Sequence, residues 1–233
     1  MHKPVDLHII PRVEDEKSCI KTAQMLKSAG YRAVALTLPT GLLKEHVRSL
    51  RNRFADSGIE IFARIDISCA NRQELLRLLR RFRNVYDVVA VKCVNHALGL
   101  VAARDRRVDI IFFDPLKRNV WFDHSIANVS RAALELNLST LFSESILLTK
   151  PMKEIDIATQ HMVRVVLSSG CTSPMMIRTP EQLSAIGMVL GLNVRQARDG
   201  VSTIPWSIVE QNVERRSKEY VEEGVRVVKK RVS

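Results

Sequence analysis

His8 and Asp66 lie near the C-terminal ends of two short apolar runs, Val5 to Ile10 and Ile59 to Ile67. A histidine and a carboxylate so placed raise the possibility of metal-assisted hydrolysis. His96, Asp114 and Glu144 stand near the ends of later runs and could join them. A hydrolytic centre needs several convergent His or carboxylate ligands and an open position for water. The set is incomplete: the residue two after His8 is Ile10, so there is no His-x-His pair, and no Asp-x-His pair appears late in the chain. Two readings stay open, a working metal site or polar groups satisfied by buried hydrogen bonds, and the missing ligands favour the second. The expectation is a chain with no catalytic residue and no metal of its own. Nucleophile and nucleotide motifs are also missing: no Gly-x-Ser-x-Gly, no Gly-x-x-x-x-Gly-Lys-Ser/Thr and no Gly-x-Gly-x-x-Gly. Ser168-Ser169-Gly170 can be a phosphate cradle of backbone N–H groups or a plain turn.

The basic residues say more. Lys and Arg number 36 against 25 Asp and Glu, a net charge of +11, which creates a field attractive to phosphate polymers. Arg12 follows the first apolar run, Lys92 ends the fourth, Lys117 and Arg118 follow the fifth, and Arg178 follows the last. If those runs are parallel strands of a barrel, their C-terminal ends share one face, and charges scattered in sequence become one RNA-binding surface. Arg72, Arg77, Arg80, Arg81 and Arg83 cluster on a helix, and Arg104, Arg106 and Arg107 form another group; both read as solvated. Aromatic residues are only 5%, too few for a base-stacking platform, so recognition through phosphate and shape fits better, as for folded RNA. No apolar stretch approaches the ~20 residues that span a bilayer, and the start lacks the apolar core of a signal peptide. No membrane role and a cytoplasmic location are expected. Cys19, Cys69, Cys93 and Cys171 form no Cys-x-x-Cys pair and read as buried, reduced thiols.

The elements that must position these residues alternate between short apolar runs and helical periodicity, the mark of βαβ units. Strands are expected at Val5 to Ile10, Tyr31 to Leu38, Ile59 to Ile67, Tyr86 to Val91, Val108 to Phe113, Leu138 to Phe142, Val163 to Ser168 and around Met175 to Ile177. Cys19, Ile20, Ala23 and Leu26 recur at helical spacing before Gly30; Leu43 to Phe54 carries a second helix. Asn71 can cap a third, and a helix begun near Asp123 can end at Asn137. Thr179-Pro180-Glu181-Gln182 is a capping box with Pro at the first helical position, and Gly191 closes that helix. Eight or so such cycles make an α/β fold of the TIM-like (β/α) barrel type, followed by an additional C-terminal helix over Pro205 to Val232. With no linker-like segment, residues 1–233 read as a single domain.

In order and spacing, several of these segments resemble the 30 kDa protein family of ribonuclease P, called protein component 3 in archaea. The segments are Asp6-Leu7-His8, Val85 to Val91, Asp109-Ile110-Ile111, Lys117-Arg118, Phe122-Asp123-His124, Ser168 to Cys171 and Arg178 to Leu183, with Ser202, Pro205 and Asn212 closing the series. One departure is a short helix between Leu148 and Val163 where a longer basic one is expected. The resemblance implies a TIM-like barrel that supports removal of the 5′ leader from precursor tRNA without being catalytic alone. It also implies that the ribonuclease P RNA, with magnesium, performs the hydrolysis, and that a small protein subunit of RRM-like fold pairs with the barrel. Because the family is related in fold to PHP-type metal phosphoesterases, the alternative is a stand-alone metal-dependent phosphoesterase.

Overall fold

The computed structural model describes residues 3–10, 16–40, 45, 49, 58–117, 119–142, 148–217, 219–222 and 225–226. Strands β1 (Val5–Ile9), β2 (Ala33–Thr37), β3 (Glu60–Ser68), β4 (Val88–Cys93), β5 (Ile110–Phe113), β6 (Ala133–Asn137) and β7 (Val165–Ser168) form one parallel sheet in sequence order. An isolated parallel bridge between Ile9 and Cys171, with Ile10 N donating to Cys171 O at 2.8 Å, brings the two edges together. The result is a nearly closed TIM-like barrel. Its outer elements are α1 (Glu16–Ser28), α2 (Arg72–Phe82), α3 (His96–Arg104), α4 (His124–Val129), α5 (Leu138–Phe142), α6 (Thr149–Gln160), α7 (Pro180–Val189) and α8 (Val194–Val201). The expected second helix, Leu43 to Phe54, lies outside the described residues but for two positions.

Local chemistry sets the helix ends where expected. Asn71 Oδ1 accepts from Glu74 N, and Thr179 and Gln182 exchange both capping-box bonds. Gly191 takes φ +117°, a left-handed conformation, as Gly191 N and Leu192 N bond back to Met188 O and Gly187 O and close α7.

Strand alternation separates two cores. Outward residues such as Val34, Ile65, Val91, Ile111 and Leu134 pack under the helices. Inward residues Val5, Ala33, Phe62, Val88, Ile110, Ala133 and Val166 fill the barrel's N-terminal half. A further helix, α9 (Thr203–Arg215), seals this end with Ile208 and Val209, so the expected C-terminal helix is present and has a packing role. Toward the C-terminal end the inward positions turn polar: Phe62 gives way to Arg64 and Asp66, Ala90 to Lys92, and Ala133 to Glu135 and Asn137. The barrel is therefore apolar at its base and ionic at its mouth.

The structure corrects four expectations. The sixth strand is Ala133–Asn137, and Leu138–Phe142 is a short helix that Asn137 starts by accepting from Ser139 N at 3.0 Å. Asn137 thus ends a strand and begins a helix, instead of ending the helix begun at Asp123, which stops at Val129. Residues Pro174–Met176 form a 3-10 turn instead of an eighth strand, since Pro174 lacks an N–H for a ladder. Helix α9 ends at Arg215 and a small hairpin follows, β8 (Tyr220–Glu222) with β9 (Val225–Arg226). The segment between Leu148 and Val163 carries a helix of 12 residues.

Candidate nucleic-acid interface

At the barrel mouth the central group is Arg64, fully buried on β3. Its Nη1 and Nη2 donate to the two Glu135 carboxylate oxygens at 2.5 and 2.6 Å, a bidentate fork. Its Nε donates to Asp66 Oδ1 at 2.6 Å and its Nη1 also to Leu7 O at 3.0 Å. His8 faces the same cluster, with Nε2 3.4 Å from Asp66 Oδ2 and Nδ1 3.4 Å from Glu135 Oε2. It reaches the interior because β1 bulges between Asp6 and Ile9, which lets Leu7 and His8 both point inward. Burial by itself would raise the Glu135 carboxyl; the charge of Arg64 and its two hydrogen bonds outweigh it and hold that carboxyl well below the ordinary range. Asp6 is different: burial raises it to about 6, although Ser169 and His8 N–H groups donate to it.

This donor set does not fit a hydrolytic metal centre. Both mouth carboxylates are bonded to a guanidinium, which supplies the positive charge a metal would bring. Among the described residues no group of three or more His, Cys, Asp or Glu is arranged to hold a metal ion. The other ligand candidates are engaged elsewhere: His96 Nε2 pairs with Asp123 Oδ2 at 2.8 Å, and Asp114, which lines the same cavity as Glu135, pairs with Lys92. Glu144 lies outside the described residues. In the Ser168-Ser169-Gly170 segment Ser169 N donates to Asp6 and Cys171 N to Ser169 Oγ, while the buried Ser168 Oγ has no hydrogen-bond partner among the described residues. Gly170 has φ +61°, and a Cβ there would run into the Asn137 side chain, so the turn needs glycine.

The basic residues divide. Lys92 and Lys117 come together at the C-terminal rim around Asp114, whose carboxylate pairs with Lys92 Nζ at 3.2 Å and whose carbonyl accepts from Lys117 N. Lys150 holds the backbone that carries Lys117, with Nζ donating to the carbonyls of Asp114, Lys117 and Val120 at 2.7 to 2.9 Å. Beside it, burial raises the Glu154 carboxyl to about 7 against the lowering effects of the Phe122 N–H and Lys150. Arg178 does not follow a strand: it comes after the 3-10 turn, its Nη1 bonds the carbonyls of Met175 and Ile177, and its own carbonyl accepts from Tyr31 Oη, ahead of β2. Arg12 and Arg118 lie outside the described residues. Of the clusters read as solvated, Arg72, Arg77, Arg80 and Arg81 are exposed on α2, but Arg83 pairs with Asp109 and Arg107 with Asp105.

Sequence reasoning missed Arg64, Glu135 and Asn137. Ala132-Ala133-Leu134-Glu135 has helix-favouring composition, which hid a strand. The usable signal was local: Asn137 before Ser139 is a helix start, so a strand of alternating character had to end there.

The chain is 28% identical over 179 residues to ribonuclease P protein component 3 of Methanosarcina acetivorans, covering 73% of this chain and 74% of that one. To the protein of the same name from Methanosarcina barkeri it is 25% identical over 233 residues, covering 95% and 93%. Its fold matches a chain in the cryo-EM structure of archaeal ribonuclease P with mature tRNA, with a TM-score of 0.83 at 19% identity over 98% of this chain and 100% of that one. The family model for RNase P subunit p30 matches residues 3–217, and a match over that span, on a barrel of this form, places the chain in the RNase P subunit p30 family.

Proposed function

We propose that the barrel serves ribonuclease P as a basic scaffold for RNA and not as the group that cuts the phosphodiester. As a p30-family member, the chain is a protein subunit of the ribonucleoprotein that removes the 5′ leader from precursor tRNA. In this reading Lys92 and Lys117, with Arg12, Arg118 and Arg178 as further candidates, neutralise phosphates and stabilise the active fold of the ribonuclease P RNA. Hydrolysis belongs to the RNA and its magnesium, and this chain binds no cofactor. The partners are the ribonuclease P RNA, precursor tRNA, a small RRM-like subunit and other ribonuclease P proteins, in the cytoplasm. No helix among the described residues is long and apolar enough to cross a membrane.

The observation that carries the reading is the Arg64 fork on Glu135, which commits the mouth carboxylates to an internal ion pair while Lys92 and Lys117 stay at the rim. The test is reconstituted cleavage of precursor tRNA with and without this chain, beside RNA affinity at several salt concentrations. The chain should stimulate cleavage. Lys92→Gln and Lys117→Gln should each lower the salt slope by about 0.7 to 0.9, the counterions released per phosphate contact, while Arg77→Gln on exposed α2 changes little. No stimulation and no RNA binding, or metal-dependent phosphoesterase activity of the chain alone, defeats the proposal.

A further inference from the structure

The opposite end of the barrel carries a second basic site. A cavity of about 290 Å³ opens at the N-terminal face, lined by Arg106, Arg131, Arg164 and Arg215, with Asp109 and Gln211. Topology builds it. Strands β5, β6 and β7 are neighbours, and each is preceded by a helix-to-strand loop that delivers one arginine: Arg106 before β5, Arg131 before β6 and Arg164 before β7. Helix α9 crosses this end and adds Arg215. Backbone bonds fix the loops, since Arg131 N donates to Ala103 O at 2.8 Å and Arg164 O accepts from Leu134 N at 2.9 Å. The Arg164 side chain adds a bond to the Arg131 carbonyl at 3.1 Å, tying two loops together.

Basic side chains dominate the lining of this cavity. Its lining carboxylate, Asp109, is already bonded to Arg83 Nη1 at 2.6 Å and to Val89 N at 2.8 Å. Arg106 and Arg131 are exposed and make no side-chain ion pair among the described residues. The Arg106 and Arg131 guanidinium groups repel one another unless an anion offsets them, and their planar forks match phosphate oxygens. At ~30 Å³ of liquid volume per water, the cavity takes a phosphate group and part of its hydration shell.

We propose that this N-terminal pocket binds a backbone phosphate of RNA, so that the barrel holds two RNA segments, one at each end. The inference rests on the ribonuclease P subunit reading. Arg131 lies two residues before Ala133, which is level with Ala90 through Ile110. Some four strand steps, ~13 Å at ~3.3 Å each, separate it from the level of Lys92. That exceeds the ~8 Å Debye length at physiological salt, so the two ends act as separate sites.

The experiment measures affinity of the full chain for the ribonuclease P RNA across salt concentrations. It compares wild type, Arg106→Gln/Arg131→Gln, Lys92→Gln/Lys117→Gln, their combination, and Arg77→Gln/Arg80→Gln as a control of equal charge. The pocket variant should lose about 1.4 to 1.8 of salt slope and bind roughly 15- to 30-fold more weakly at 0.15 M salt. Its thermal midpoint should be unchanged, and the combination should multiply the two losses. Wild-type affinity in the pocket variant, with the rim variant impaired, overturns the pocket and leaves the subunit reading standing. Equal losses in pocket and control variants mean a diffuse field and also overturn it. A wild-type chain that binds no RNA removes the subunit reading itself.

Discussion

Replacing Arg64 by Met tests whether the barrel mouth is an internal ion pair. The substitution keeps an unbranched chain and removes the bidentate bonds to Glu135, the bond to Asp66 and the bond to Leu7 O. Both Arg64 and Glu135 side chains are fully buried, so the variant leaves the Glu135 carboxylate in the interior without its bidentate guanidinium partner. Breaking a buried pair on one side costs about 3–5 kcal/mol, a large share of the ~5–15 kcal/mol typical of a domain. With a urea m-value of ~2–3 kcal/mol/M, the midpoint should fall by about 1–2.5 M. The sign with pH is definite. In the wild type the Glu135 carboxyl is held below its unfolded value, so its stabilisation is present above the ordinary carboxylate range and is lost as pH falls through the depressed value. In the variant, burial without Arg64 raises the same carboxyl, so the destabilisation relative to wild type should shrink toward acid pH. Arg64→Met/Glu135→Leu should recover most of the loss, because it removes both buried charges together. Once folded, this double variant should support reconstituted cleavage within a few-fold of wild type. Denaturation of single and double variants at pH 5 and pH 8, followed by cleavage assays, decides the matter. A single variant within ~1 kcal/mol of wild type, or a folded double variant with cleavage down by the ~10³-fold expected of a lost catalytic group, refutes the reasoning.

Four further outcomes follow from the same geometry. His8→Ala should leave reconstituted cleavage within a few-fold of wild type, and a roughly thousand-fold loss in a folded variant would restore the metal-site reading. Glu154→Gln keeps an acceptor for Phe122 N–H; because burial raises the Glu154 carboxyl to about 7, wild-type stability should decline as pH rises from about 4 through 7, by on the order of 3 kcal/mol, and the variant should lack that decline in denaturation measured across pH. Gly170→Ala should cost at least about 1–2 kcal/mol from the left-handed backbone, with the Asn137 clash added, and an unchanged melting temperature would contradict the turn's packing. Cys69, Cys93 and Cys171 are buried, and burial raises each thiol, so a water-soluble thiol reagent should label them slowly until the protein is denatured; rapid labelling of more than one would count against their burial.

What the sequence determined by itself was whatever chemistry closes within a few residues. The Asn71 cap, the Thr179 to Gln182 box and the Gly191 stop are local, and so were readable, as was the alternation of strand and helix that makes the barrel. The rim position of Lys92 and Lys117 followed from strand ends sharing a face. Where local preference and tertiary demand disagreed, the sequence misled: Ala133 to Asn137 has helix-favouring composition, yet barrel packing makes it a strand, and the apolar run at Met175 starts from Pro174, which has no N–H, and closes into a 3-10 turn. Only the tertiary structure paired Arg64 with Glu135 across 71 residues, because that pairing depends on which side of each strand faces inward, and in β1 a bulge changes the parity that brings His8 in. The arginine pocket has the same origin: Arg106, Arg131, Arg164 and Arg215 are unremarkable cations along the chain, and become one site because β5, β6 and β7 are neighbours and α9 crosses beneath them.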